Sequence, residues 1–436
     1  MKRNGRHLIY LAFFFPPSRA SGVYRAIATA NALSDQGWRV TVLTADERFF
    51  RQEIATADDT LLDSVNDDVA LCRVPFTFQK AIEEDITKYG WLKANYYRVF
   101  LKLQSLVGHV SYLQKKGRTP ISKYDDWIKP VMLSVREIHA KDPVSHVLAT
   151  GNPFSSFEAA LNLHNELGIS FSVDYRDPWT TNVYTGAKAD LPKEANLIEA
   201  EVIRKASHAF HINSAMREAI IRQYPKTANK HHIVPNGYDH FSVAESRNTS
   251  EKIVFGMLGT LNANWPLDEI FKAWDLIRSD LPSGSKFQLG GYLGYFAHSE
   301  ASLMSKLPSQ GKGFDYVGPI QKNKVREFYK SLSVIVIPAS GGALVTTGKV
   351  YEVAAQPHPI VCIQNKDGGA RKALEGRPHV QMAQPDVNEI VVAFREAIRS
   401  VENMTTEDTL EIQSFAAPYE RELSIGAIPK LLDIDN

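Results

Sequence analysis

Lys349 and Glu352 stand three residues apart in the stretch Thr347-Gly348-Lys349-Val350-Tyr351-Glu352-Val353-Ala354-Ala355, which passes through Gln356-Pro357-His358-Pro359 into the apolar run Ile360-Val361-Cys362-Ile363. The pattern predicts a short polar loop, one or two helical turns and a buried strand. A helix start at Gly348 would turn N–H groups and the positive end of the helix dipole toward a phosphate, Lys349 would add a point charge, and Glu352 would accept from ribose hydroxyls. That combination suits a nucleoside diphosphate. The same two side chains also fit an exposed i,i+3 ion pair.

Two further segments carry chemistry. Ser18-Arg19-Ala20-Ser21-Gly22 lies between an apolar run and a helical pattern, where backbone at Ser21 and Gly22 can approach an anionic or sugar group closely. Gly22 can equally ease helix–strand packing, and Arg25 one turn on can bind an acceptor or solvate its helix. Asp174-Tyr175-Arg176-Asp177-Pro178-Trp179 places two carboxylates around an arginine at a strand end, which is costly unless they are paired or used. Asp177 or Arg176 can then orient a sugar or acceptor, or Arg176 can bridge Asp174 and Asp177 and shape the loop. The 13 histidines show no ligand spacing on a predicted helix, so no metal site is expected. Asp433-Ile434-Asp435 imitates a metal-binding acidic pair only as a string, in an expected tail.

The elements that must hold these residues alternate strand and helix. Strands are expected over 8–15, 39–44, 145–149, 170–174 and 209–212, with helices over 21–36, 155–167 and 192–205. A second run of the same kind places strands at 253–256, 286–290, 334–338 and 359–363, and helices at 267–278, 324–331 and 349–355. The fold class is therefore α/β, two Rossmann-like domains with parallel sheets facing across a cleft, and ligands expected at the carboxyl ends of the strands. The expected division is 1–235, with a helical insertion at about 83–141, then 236–413, then a closing helix over 414–436 that breaks at Pro418 and returns to the first domain.

Composition narrows the partners. A chain of 436 residues is long for one domain, and Lys+Arg 50 against Asp+Glu 49 leaves +1, no electrostatic footprint for nucleic acid. Cys72 and Cys362 sit far apart among apolar neighbours, which excludes a disulfide framework and fits a cytoplasmic, reducing compartment. Met1 to Phe15 imitates a signal peptide but stops at Pro16-Pro17 without a small-residue cleavage site, and no run is long enough to span a bilayer. The 83–141 insertion mixes aromatics with bases (Trp91, Tyr96, Tyr97, Arg98, Lys115, Lys116, Arg118, Trp127) and can lie peripherally at the inner face of a membrane, or simply pack its aromatics and solvate its bases.

The segments Phe15 to Arg25, Asp174 to Trp179, Val234-Pro235-Asn236-Gly237-Tyr238-Asp239, Gly259-Thr260-Leu261 and Gly348 to Glu352, in this order, resemble the GT-B glycosyltransferases of the large retaining family 4 over nearly the whole chain. The resemblance implies transfer of a sugar from a nucleotide-diphosphate donor (a UDP- or GDP-sugar) to a glycan, lipid-linked or small-molecule acceptor, without metal or other cofactor and with retention, as in cell-surface polysaccharide synthesis. It implies donor contacts at Ser21, Gly22, Gly259, Thr260, Asn262, Gly348, Lys349 and Glu352, and roles in the reaction for Arg176, Asp177 and Lys349. Two features depart from the family. No arginine follows Gly259, so Lys322, Arg371 or backbone and Asn262 must supply the second phosphate contact. Leu344 stands where the first of two glutamates is usual, so the loop Ser340 to Thr347 would meet the sugar through backbone groups. A nucleotide-sugar epimerase, a phosphorylase and a non-catalytic binding protein of the same fold are the alternatives.

Overall fold

The computed structural model describes residues 6–53, 56–75, 121–261, 263–294, 299–311 and 313–434. Most of the 83–141 insertion lies outside the described residues, as does Asn262. Of the insertion, the 128–141 helix is described, and Trp127 just before it is buried.

Apolar runs become parallel strands because only a strand covered on both faces buries such runs entirely. In the first sheet, β1 (His7–Leu11), β2 (Arg39–Ala45), β3 (Ala70–Val74), β4 (Val144–Gly151), β5 (Ser170–Tyr175), β6 (Ala209–His211) and β7 (His231–Ile233) lie in the order β3-β2-β1-β4-β5-β6-β7. In the second, β8 (Val254–Leu258), β9 (Lys286–Gly290), β10 (Phe314–Gly318), β11 (Val334–Pro338), β12 (Ile360–Ile363) and β13 (Val380–Ala383) lie in the order β10-β9-β8-β11-β12-β13. The fold is the expected two-domain α/β fold. The first strand ends at Leu11, earlier than its apolar run, and Phe13 and Phe15 are buried beyond it.

Both sheets reverse direction of growth at one point. β1 pairs with β2 on one side and β4 on the other; β8 pairs likewise with β9 and β11. At such a reversal the loops at the strands' carboxyl ends run to opposite faces and leave a crevice.

Contacts divide the chain into two compact units: Met1–Asn182 with Lys188–Ala209 and Lys226–Lys230, and Val183–Ala187 with Phe210–Pro225 and His231–Asn436. In the second unit, Ile270, Ala273, Trp274 and Ile277 on the helix Leu267–Ile277 share a core with Ile390, Ala393, Phe394 and Ala397 on the helix Val387–Asn403, the i, i+3, i+4, i+7 spacing of a buried helix face. Asp386 starts the latter helix by accepting from the N–H groups of Asn388 and Glu389. Asp433 and Ile434 close the helix Ala427–Ile434 rather than lying in a tail, and Ile428 and Leu432 of that helix are buried. Before it, the helix Thr406–Ala416 gives way to a tight turn at Ala417–Tyr419 that carries Pro418. Among the described residues no helix is long and apolar enough to cross a membrane.

Candidate active site

In the second unit the expected nucleotide grip falls at the carboxyl ends of β8 and β11. Gly348 opens the short helix Gly348–Ala354, which carries Lys349 in its first turn and Glu352 one turn further on. Lys349 Nζ donates to Glu352 Oε1 at 2.5 Å, and the Tyr329 hydroxyl donates to the same oxygen at 2.7 Å. Glu352 Oε2 receives no bond from the described residues and remains an acceptor. The pair is not the exposed one the spacing allows: its side chains are 30% and 20% exposed, and the wholly buried Tyr329 fixes it from below. Burial, and then Glu352, raise the Tyr329 phenol far above its ordinary value, so it remains a donor. A side chain built on Gly348 would meet Asn236 Cβ and the Gly237 carbonyl oxygen at 3.8 Å, ordinary contact distance, so the helix start packs beside the Asn236–Gly237 turn.

Four carbonyls of the loop between β11 and this helix are tied to other segments. The carbonyl of Gly341 accepts from Gln364 Nε2, Gly342 from Gly369 N, Ala343 from Asn213 Nδ2 and Thr346 from Asn236 Nδ2. The N–H groups of Ala343, Leu344, Thr346 and Thr347 donate to none of the described residues. A loop tied down by its carbonyls with its amides left over presents a partial positive charge suited to phosphate or sugar oxygens. Leu344 is 8% exposed and serves the core, so no polar contact comes from its side chain.

Gly259 follows β8 at φ 153°, and a side chain on Gly291 would stand 1.7 Å from the Gly259 carbonyl oxygen, so the two glycines allow the β8 and β9 ends to touch. Thr260 is exposed beside them. Of the candidates for the missing cation, Arg371 is committed: its Nη1 donates to the carbonyls of Gln364 and Ala383. Lys322 is better placed. It sits 4.7 Å from the centre of the Phe241 ring and 4.0 Å from Asp239 Oδ2, and it feels the charge of Glu352. Burial lowers its pKa, against the pull of Asp239.

The Asn236–Asp239 loop is braced within the same unit. Arg421 donates to Asp239 Oδ1 at 2.7 Å and to the Asn236 carbonyl at 2.8 Å, and the backbone of Tyr238 donates to the Tyr419 carbonyl and accepts from the Arg421 N–H.

In the first unit the second group of expected residues gathers at the ends of β1, β4 and β5, with partners the sequence did not choose. Arg25 is buried, not solvating its helix: it grips Asp174 through Nε–Oδ2 at 2.8 Å and Nη2–Oδ1 at 2.6 Å, with 2% and 0% of the two side chains exposed. Asp174 is therefore not bridged to Asp177 by Arg176. A fully desolvated Asp174 needs a complete fork of donors, and Arg25 supplies one. Arg176 instead donates from Nε to the Gly151 carbonyl at 3.1 Å and from Nη2 to the Asn152 carbonyl at 2.7 Å. Its guanidinium fills the space beside Gly22, where a built side chain would stand 1.0 Å from Nη1. The close approach that Gly22 permits is to Arg176, and Ser21 beside it is exposed.

Asp177 is half-buried and receives no hydrogen bond from the described residues. Burial raises its pKa above the usual carboxylate range, and Arg176 opposes that rise. Glu199, which sequence reasoning missed, is fully buried and holds both flanks of this turn, accepting from the Tyr175 hydroxyl at 3.1 Å and from the Thr180 hydroxyl.

No protein-family model matches the sequence, and no curated protein matches it. Solved structures match along the whole chain. A sucrose-phosphate synthase from Thermosynechococcus elongatus is 12% identical, covers 99% of this chain and 100% of its own, and has a TM-score of 0.67. The Anabaena protein HepE, solved with UDP and glucose, is 14% identical over 98% and 99% at a TM-score of 0.65. A glycosyltransferase from Rickettsia africae is 10% identical over 99% and 98% at 0.63. UDP-N-acetylglucosamine 2-epimerases share the fold as well. At these identities the likeness establishes the fold, GT-B, and the activity has to be argued from the site.

Proposed function

We propose that this GT-B protein is a glycosyltransferase whose second unit holds a nucleotide-diphosphate sugar and whose first unit supplies the acceptor side. The observation that carries the reading is the Lys349–Glu352–Tyr329 cluster beside a loop held by four of its carbonyls, with amides that donate to none of the described residues. Glu352 Oε2, which takes part in neither of these bonds, accepts from a ribose hydroxyl while Tyr329 holds Oε1. Lys349 turns from Glu352 to the diphosphate, and Lys322 is the second cation. Departure of the nucleoside diphosphate concentrates negative charge on its terminal phosphate, and fixed cations and amides stabilise that charge most as it develops. Positive charge at the leaving group makes metal unnecessary in this reading.

A uridine nucleotide is favoured over guanosine, because HepE was solved with UDP and with UDP-glucose. Arg176 and Asp177 face the reacting sugar or the acceptor. Asp177 accepts a hydrogen bond from the acceptor hydroxyl, and retention follows if the leaving phosphate takes that hydroxyl's proton on the same face. Glycan, lipid-linked and small-molecule acceptors all fit this chemistry.

The epimerase neighbours support a second reading, reaction at the nucleotide sugar without an acceptor. One experiment separates them: incubation with UDP- and GDP-sugars, with and without acceptors, followed by product analysis. Release of nucleoside diphosphate that depends on acceptor supports transfer, an altered sugar on intact nucleotide supports epimerisation, and nucleotide binding without turnover refutes both.

A further inference from the structure

A cavity of about 190 Å³ opens in the first unit beside Trp179, the last residue of the Asp174–Trp179 segment. Phe154 and Trp179 stack in its wall, with ring centres 5.1 Å apart and planes 8° from parallel. Asp125, Asn152, Ser155 and Glu158 supply polar groups around that stack. Asp125 is held rigidly, accepting from Ser155 Oγ at 2.9 Å and from the Ile121 N–H at 2.8 Å. Asn152 joins the cavity to the turn already described, since its carbonyl accepts from Arg176 Nη2.

Size and lining together select a ligand. An apolar cavity of roughly 150 Å³ takes a benzene ring, and drug-sized ligands need about 300 Å³ or more, so this volume suits one substituted six-membered ring. An aromatic stack at one wall and amide, hydroxyl and carboxylate groups at the others match a ring that is apolar on its C–H face and hydroxylated at its edge. Two carboxylates in the wall disfavour phosphate and carboxylate substituents.

We infer that this cavity seats one neutral pyranose ring of the acceptor, its C–H face on the Phe154–Trp179 stack and its hydroxyls toward Asn152, Ser155 and Glu158. The inference rests on the glycosyltransferase reading and adds the acceptor's class and place to it. The ring binds next to Asn152, whose carbonyl holds Arg176, on elements of the first unit alone.

Saturation-transfer NMR with methyl hexopyranosides, the corresponding hexose 6-phosphates and phenol tests it on the full chain, with UDP and GDP titrations in parallel. A neutral glycoside should receive saturation in the wild type. Leu191→Trp, which fills the cavity from its lining, should reduce that signal at least tenfold, Glu158→Gln should weaken it severalfold, and neither should change nucleotide affinity. An unchanged signal in Leu191→Trp, tighter binding of the phosphates, or preference for phenol would overturn the inference. In the wild type, no glycoside binding with nucleotide binding intact refutes the cavity alone; no nucleotide binding with glycoside binding present refutes the donor reading and leaves the cavity standing.

Discussion

Gly22 and Arg176 should behave as one unit, and a double-mutant cycle measures it. In Gly22→Ala the new methyl would stand 1.0 Å from Nη1 and 2.3 Å from Cζ of Arg176, so the guanidinium must leave. Leaving breaks two bonds from a charged donor, to the carbonyls of Gly151 at 3.1 Å and Asn152 at 2.7 Å. Both carbonyls can be rehydrated, so each bond is worth about 1 kcal/mol net and the pair about 2 kcal/mol. Gly22 has φ −75° and ψ −12°, which alanine adopts without strain, so the backbone term favours the variant by about 0.4–1 kcal/mol. Gly22→Ala should therefore cost about 1–1.5 kcal/mol and Arg176→Ala about 2. In the Arg176→Ala background Gly22→Ala should cost nothing or stabilise slightly, a coupling of about 2 kcal/mol. Hydrogen exchange of amides in β4 and β5 reports the opening free energy of this unit without a two-state assumption for the whole chain. Additive costs would show that the arginine does not depend on the glycine. The functional counterpart is that Gly22→Ala and Arg176→Ala should reduce transfer to the same degree.

Lys349→Ala removes a charge-assisted contact worth about 1.5–3 kcal/mol in the transition state and should lower kcat/KM roughly 10- to 150-fold, while Glu352→Gln should raise the donor KM; unchanged kinetics in both would remove the donor assignment. Breaking the buried Arg25–Asp174 pair by Arg25→Met or Asp174→Asn should destabilise the first unit by about 3–5 kcal/mol, seen as faster hydrogen exchange in β5. Gly237→Ala should destabilise the second unit, because φ is 65° and the new methyl would meet the Tyr419 carbonyl oxygen at 2.8 Å, and proteolysis should then begin near 419. Burial holds His146 in the first unit and His358 in the second at pKa values of about 3, against 6.5 in the unfolded chain. The unfolded state then binds the extra protons, so stability falls as pH drops from 6.5 toward 3, by about 1.4 kcal/mol per pH unit for each histidine. Denaturant midpoints at pH 7 and pH 5 test this, and His358→Gln should flatten the slope of the second unit.

The strands missed by pattern share one physical property. β3 and β7 end the first sheet, and β10 and β13 end the second. Interior strands are covered on both faces and on both edges, so they read as continuous apolar runs, as in Val334 to Pro338. Edge strands face solvent on one side and carry residues such as Arg73, His232, Asp315 and Gln381. Their runs are short and mixed, and they look like loops. The parallel direction of the sheets was legible from the interior strands alone, because a βαβ unit fixes it; their strand order was not.

The site divides along a different line. Lys349 and Glu352 were legible because they interact at i,i+3 on one helix, but Tyr329, which fixes them, is 23 residues away from Glu352. Asp174 at the end of an apolar strand demanded a cation, and nothing in its spacing preferred Arg25, 149 residues distant, over the adjacent Arg176. The loop Ser340 to Thr347 is the extreme case, since its contribution lies in which carbonyls are already taken, and four partners from three other segments take them. Leu344 follows from the same arrangement. A glutamate there would bring a charge into the core, so on the proposed reading the contacts to the donor sugar must come from the amides on either side of it. Asn213→Ala and Asn236→Ala should then raise the donor KM without touching any charged group, by releasing the carbonyls that hold those amides in place.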